Sequence, residues 1–164
     1  MEKKKTLWEI IKFVLVSCIV TIIQLILVNV LFFLMKGITT PLPPFLSRIF
    51  TETVMGEGHT NWGYILPFFL SNLIANIYGF FQNRKTTFKS NSPKIYVFIY
   101  IVIVFILIVI STYIQGVVAN ALLGVSVKFL NSLAPTIAAM VAGTFQMVVL
   151  FPLEKFVLFK EKNN

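Results

Sequence analysis

The chain has 164 residues, of which 57% are hydrophobic and only 12% charged, with 17 phenylalanines. Soluble domains carry about 25% charged residues, so this composition excludes a water-facing globular surface and implies one membrane domain with room for four spans of about 20 residues. The net charge of +8 is confined to the ends of apolar runs, which points to membrane orientation and anionic headgroups and away from nucleic acid.

Residues 1–12 form a basic, amphipathic lead with Lys3, Lys4, Lys5 and Lys12, and Trp8 at interface depth. Phe13 to Met35 then carries no charge, and the run is too long for the core of a signal peptide. It reads as an uncleaved span 1. Ser17, Thr21 and Gln24 share one face of it, a pattern suited to hydrogen bonds between helices. Cys18, the single cysteine, lies inside this run, so the chain forms no disulfide within itself.

Residues 36–61 form the longest loop. Pro41, Pro43 and Pro44 break the helix, and Leu46, Ile49, Phe50 and Val54 have the spacing of a short interfacial helix. Gly56 to His59 reads as a turn, with His59 a solvated loop residue. Span 2 covers about 62–81, with Pro67 as a kink and Trp62 and Tyr64 in an aromatic belt. Gln82 to Lys94 is a basic loop. Span 3 covers about 95–118, residues 120–132 are a loop, and span 4 covers about 133–153. Ala138/Ala142 and Ala139/Gly143 give span 4 a close-packing face for self-association or a partner. The tail holds Glu154, Lys155, Lys160 and Lys162.

The fold class is therefore an all-α membrane protein with four transmembrane helices. Eleven of the 14 Lys and Arg residues fall on the side of the lead, the 82–94 loop and the tail. The positive-inside rule then puts both termini in the cytoplasm and the protein in the cell membrane. A tandem pattern runs through the two halves at an offset of 71: Phe80 meets Phe151, Asn83 meets Glu154, Arg84 meets Lys155, Phe88 meets Phe159 and Lys89 meets Lys160. Span 1 over span 3 needs a larger offset. Both halves start and end on one side, so the repeat of two helical hairpins is parallel.

The most informative stretch is 72–89. Asn72, Asn76, Gly79 and Asn83 fall at i, i+4, i+7 and i+11, one helical face that passes into the cations Arg84 and Lys85. Carboxamides inside a membrane are costly unless something polar meets them. The sequence has no phosphate loop, no metal-ligand spacing and no serine with a base, and the expected spans contain no ionisable acid or base. These absences argue against an enzyme, a cofactor, a metal site or a carboxylate-coupled exporter. They leave movement of a polar amphiphile or a helper role. Asn72, Asn76, Asn83, Gln24, Thr21 and Gln146 can bind an uncharged sugar by hydrogen bonds. Arg84, Lys85, Lys155 and Lys12 can meet a lipid phosphate, and Arg84, Lys85, Lys155 and Lys160 can ring one cytoplasmic-side site.

The segment Gly79-Phe80-Phe81-Gln82-Asn83-Arg84-Lys85-Thr86-Thr87-Phe88 resembles the close of the second span in the GtrA-like family of small four-span membrane proteins. The Asn-Arg-Lys and the closing Phe match. Gly79 stands where the family has Asn, and Thr86 where an aromatic is frequent. The resemblance implies translocation of a polyprenyl-phosphate-linked sugar for cell-surface polysaccharide or teichoic-acid glycosylation. The alternative it implies is a non-transporting subunit that stabilises or recruits a polyprenyl-phosphate glycosyltransferase. Membrane lipids are partners in either case, and a homodimer is compatible with both. The resemblance names no sugar.

Overall fold

The computed structural model describes residues 2–93 and 95–159, with the side chains of residues 2, 3, 53, 128, 132, 135 and 136 outside the description. Lys94, Lys160 and Lys162, which the sequence places among the basic flanks, lie outside the described residues. Within them the protein is helical, and four helices are long and apolar enough to cross a membrane. They are α1 (Glu2–Met35), α4 (Trp62–Gln82), α5 (Ile95–Leu123) and α6 (Lys128–Leu153), with α2 (Pro44–Ser47) and α3 (Glu52–Met55) in the first long loop.

The basic lead is not a separate element. Charges end a hydrocarbon-compatible run but do not end a helix, and α1 continues through Lys4, Lys5 and Lys12 without a break. The expected loop at 120–132 shrinks for the same reason: α5 runs to Leu123 and α6 begins at Lys128. The interfacial helix resolves into two single turns. Pro44 opens α2 at a position where its missing N–H costs nothing. The chain between the turns buries Phe50 with Leu42, Met55 and Ile65, a small second core under the loop. Asn61 caps α4, its side chain accepting from Tyr64 N at 3.1 Å. Trp62 N donates to Thr40 O at 3.0 Å and Gly63 N to Ile38 O at 3.1 Å, which fastens the end of the loop to its beginning.

α1 packs along α4 and α5 along α6, giving two hairpins, while α1 and α6 touch little. The small-residue face of α6 is used inside the molecule: Ala134, Ala138 and Ala142 are buried. The main core sits at the basic end of the bundle, where Phe13, Phe80, Phe88, Tyr100, Phe151 and Phe159 cluster. Phe80 lies 5.0 Å from Phe159 and Phe88 lies 6.1 Å from Phe151, ring centre to ring centre. Phe13 packs on Phe151 at 5.2 Å and Tyr100 on Phe80 at 4.3 Å.

Two of the long helices end alike. α4 passes into a π-helical turn at Asn83–Thr87, and α6 passes into one at Glu154–Leu158, 71 residues later. Phe88 N closes the first turn on Asn83 O at 2.9 Å, and Phe159 N closes the second on Glu154 O at 2.8 Å. A π turn inserts one extra residue per turn and rotates the side chains that follow it. Here each begins at the polar residue that faces the bundle axis.

Candidate functional site

The carboxamide face of α4 turns inward. Asn72, Asn76 and Asn83 are each about one-twentieth exposed or less, and Gly79 is buried between them. Asn76 Nδ2 donates to Asn72 O at 2.9 Å, to Asn72 Oδ1 at 2.5 Å and to Gln146 Oε1 on α6 at 3.2 Å. Tyr100 from α5 donates its hydroxyl to Asn76 O at 3.0 Å. Asn76 therefore joins three helices. Two of the expected sugar residues, Asn76 and Gln146, are direct partners although 70 positions apart.

Glu154 corrects the sequence reading. The sequence ends span 4 at about 153 and leaves Glu154 in the tail. In the structure Glu154 is 1% exposed, at the first position of the second π turn, inside the fourth membrane-crossing segment. Asn83 hydrogen-bonds its carboxyl group, and Asn83 Oδ1 in turn accepts from Thr87 Oγ1 at 3.1 Å. Glu154 Oε2 has no partner among the described residues. The signal that could have found it was the tandem pattern, which aligns Glu154 with Asn83.

Glu154, Asn83, Asn76, Gln146 and Tyr100 line a cavity of about 40 Å³ together with Ser17, Thr21 and Gln24 from α1. It has space for a few waters and none for a sugar ring. A separate, larger cavity of about 220 Å³ lies beside it, sharing Thr21, Gln24 and Gly143 as walls and adding Asn29, Gln115, Phe32 and Phe68. Gly143 leaves this wall open, since nothing lies within 4 Å of where its Cβ would stand. From Phe13 at one end to Phe32 at the other, the linings of the two cavities follow α1 for nineteen residue steps. At 1.5 Å rise that is about 28 Å, close to the thickness of a bilayer core. A third space of about 130 Å³ shares Gln115 and Phe68 and reaches His59. His59 is an exposed loop residue as expected, yet it is held, stacked on Tyr64 at 4.0 Å with Nδ1 2.9 Å from Met55 O.

Thr21 spends its hydroxyl hydrogen on Ser17 O at 3.0 Å, leaving the oxygen as an acceptor toward the cavity. Gln24 is half-buried between the two larger walls and has its carboxamide available to both. Asn72 faces Asn76 and does not reach either cavity.

The expected phosphate cations have different partners, and Lys160 of the expected ring lies outside the described residues. Arg84 folds onto its own loop, donating from Nη2 to Ser92 O at 2.5 Å and from Nε to Ser90 O at 3.4 Å. Lys155 pairs with Glu9 on α1 at 2.9 Å and donates to Thr6 Oγ1 at 3.0 Å. Lys12 lies over the Trp8 ring at 5.5 Å, and Lys85 is exposed. Lys155 and Lys5 flank a shallow groove between the start of α1 and the end of α6. Lys5 was not singled out by sequence, because one lysine in a basic lead carries no spacing signal.

No protein-family model, curated protein or solved structure matches this chain.

Proposed function

We propose that the protein moves a polyprenyl-phosphate-linked sugar across the cell membrane, with both termini in the cytoplasm, as the GtrA-like resemblance implies. The observation that carries this reading is the polar seam between α1 and α6, which follows α1 for the depth of a bilayer. A flipped lipid needs a polar path only for its headgroup, since the isoprenoid tail stays in hydrocarbon. The seam supplies neutral donors and acceptors along its length: Asn83, Asn76, Gln146, Thr21, Gln24 and Gln115. It contains no lysine or arginine that would trap a sugar phosphate midway. The cations stand at one end, where Lys5 and Lys85 are exposed and suit a phosphate at headgroup level, while Lys155 is held by Glu9.

α1 is the least buried of the four long helices and has little contact with α6. Its displacement from α6 is the motion that enlarges the cavity, and it leaves the α5–α6 hairpin intact. The architecture of this reading is a parallel tandem repeat. The paired π turns at an offset of 71 support it. So do the ring contacts, because exchanging each residue for its counterpart turns Phe80–Phe159 into Phe151–Phe88. The Phe13–Phe151 and Tyr100–Phe80 contacts pair in the same way, at the larger offset expected for α1 over α5.

The small volume of the inner cavity favours a second reading, a non-transporting subunit of a polyprenyl-phosphate glycosyltransferase, because about 40 Å³ is far below the roughly 300 Å³ at which small-molecule sites begin. Reconstitution separates the two. The pure protein in liposomes is expected to exchange a fluorescent polyprenyl-phosphate sugar between leaflets faster than protein-free vesicles. Exchange that appears only when a glycosyltransferase is added back would refute the transport reading.

A further inference from the structure

The carboxyl group of Glu154 has no role in sugar recognition as described above, and its setting is unusual. It is 1% exposed, it lines the inner cavity, and Oε2 has no partner among the described residues. Around it, α1 presents Phe13, Ser17 and Thr21, α4 presents Asn76 and Asn83, α5 presents Tyr100, and α6 presents Gln146 and Leu150. Tyr100 is the one titratable group among them, and its hydroxyl hydrogen is committed to Asn76 O. The nearby cations are engaged elsewhere: Lys155 by Glu9 and Thr6, Arg84 by Ser90 and Ser92. No lysine or arginine lines the cavity.

A buried carboxylate is tolerated when its oxygens are met by donors. Asn83 meets one, and the cavity must supply the second. Three suppliers fit a space this size: a proton carried on Oε2 itself, a cavity water, or a hydroxyl group brought in from the seam. They differ in charge: the protonated oxygen is itself a donor, and the ionised oxygen accepts from water or a hydroxyl.

We propose that Glu154 is a proton-binding site whose proton is exchanged for a sugar hydroxyl of the entering headgroup, so that lipid movement in one direction is coupled to proton movement in the other. This rests on the transport reading above. In the empty protein Glu154 is a carboxylic acid. When the headgroup enters, the acid releases its proton to water at the basic end, and the carboxylate accepts a hydrogen bond from the sugar hydroxyl at Oε2. When the headgroup leaves, the carboxylate takes a proton from the water that replaces it. Binding of proton and of headgroup oppose each other reciprocally, as linkage requires. The sugar phosphate does not enter the step.

Two measurements test the proposal. In weakly buffered detergent solution, a polyprenyl-phosphate hexose is added while a pH-sensitive dye reads proton release and native mass spectrometry reads lipid binding. Wild type is expected to release up to one proton per lipid bound, and Glu154→Asp to retain part of the release. Glu154→Gln, which keeps size and hydrogen-bonding ability, is expected to release none. In liposomes, a gradient of one pH unit is expected to shift the leaflet distribution of the lipid about tenfold for one proton per lipid, and the shift is lost in Glu154→Gln. Lipid binding without proton release, or equal release from wild type and Glu154→Gln, overturns the proton site. Failure of wild type to bind or exchange the lipid overturns the transport reading instead. The site is then judged by infrared titration of the lipid-free protein. A carboxylic-acid band that wild type loses on alkalinisation and Glu154→Gln lacks sustains it, and absence of that band in wild type removes it.

Discussion

Asn76 offers the sharpest test of whether the polar seam is a path or a clamp. Its Nδ2 carries two hydrogens and has three acceptors in reach, of which Gln146 Oε1 at 3.2 Å is the most distant and the one on another helix. Hydrogen bonds between helices in a membrane average about 0.6 kcal/mol and reach about 1.7. The length of this one, and the competition from Asn72, put its worth at the lower figure. A double-mutant cycle over Asn76→Ala and Gln146→Ala should therefore give a coupling energy of about 0.6 kcal/mol. Asn76→Ala alone should cost about 1–2 kcal/mol, because Gln146 is left with a buried oxygen that a cavity water partly satisfies. Unfolding in detergent or bilayer, followed by steric trapping, reads both numbers. Asn76→Leu fills the same space without a polar atom. If the carboxamide serves the headgroup, this variant folds yet exchanges lipid about tenfold more slowly, the equivalent of one lost hydrogen bond in the path. A folded Asn76→Leu protein with full exchange would refute the path. A coupling energy well above 1.7 kcal/mol would mark the contact as a structural clamp.

The remaining expectations concern the frame of the site. A Cβ on Gly116 would stand 2.6 Å from Val54 O and 2.8 Å from Met55 Sδ, so Gly116→Ala should lever α3 off α5 at a cost of about 1–3 kcal/mol, seen as faster proteolysis within residues 36–61. The Glu9–Lys155 pair is roughly 15% exposed on both sides, between the surface and buried cases. Glu9→Gln should therefore cost about 1–2 kcal/mol, and the charge swap Glu9→Lys with Lys155→Glu should recover most of it in a thermal melt. Lys85→Ala should weaken association of an anionic lipid with the detergent-solubilised protein by about 1 kcal/mol, read by native mass spectrometry, whereas Arg84→Ala should loosen the loop at 88–93 and leave that association nearly unchanged, because Arg84 is already committed to Ser90 and Ser92.

The four long helices were legible because hydrocarbon demands long apolar runs and the gaps between them are charged. The inward face of α4 was legible because four polar or small residues at helical spacing can share only one side. Helix ends were less so. Lys12 ends the apolar run, yet α1 starts ten residues earlier, since a lysine at headgroup depth suits a helix well. Glu154 was misplaced for a related reason. A Glu-Lys step after a proline and before two lysines looks like an aqueous tail, and only the geometry of the π turn brings the acid inside while Lys155 stays near the rim. Gly63 and Gly116 carried no sequence signal. Each is required by backbone from a distant segment, Met35 to Ile38 in one case and Val54 in the other, and such a neighbour is visible only once the chain is folded.

The proposed repeat makes one further demand. Exchanging the two hairpins carries the α1–α6 seam onto the α4–α5 seam, yet the two are built differently. Between α4 and α5, Phe69 packs on Phe105 at 4.9 Å, Tyr100 packs on Phe80, and the Tyr100 hydroxyl is bonded to Asn76 O. Between α1 and α6, Ser17, Thr21 and Gln24 face Gly143 and Gln146 across open space. Aromatic contacts of the first kind contribute about 0.5–1.5 kcal/mol each beyond area burial, so the first seam should stay shut while the second opens. Thiol cross-linking separates these roles once Cys18, which is exposed, is replaced by alanine. A short bifunctional linker between Thr21→Cys and Gly143→Cys should abolish leaflet exchange, and cleaving the linker should restore it. The same linker between Phe69→Cys and Phe105→Cys should leave exchange running. Block by the second linker and passage under the first would mean that the headgroup travels along α4 and α5, and the polar seam of α1 would then be a packing defect and not a route.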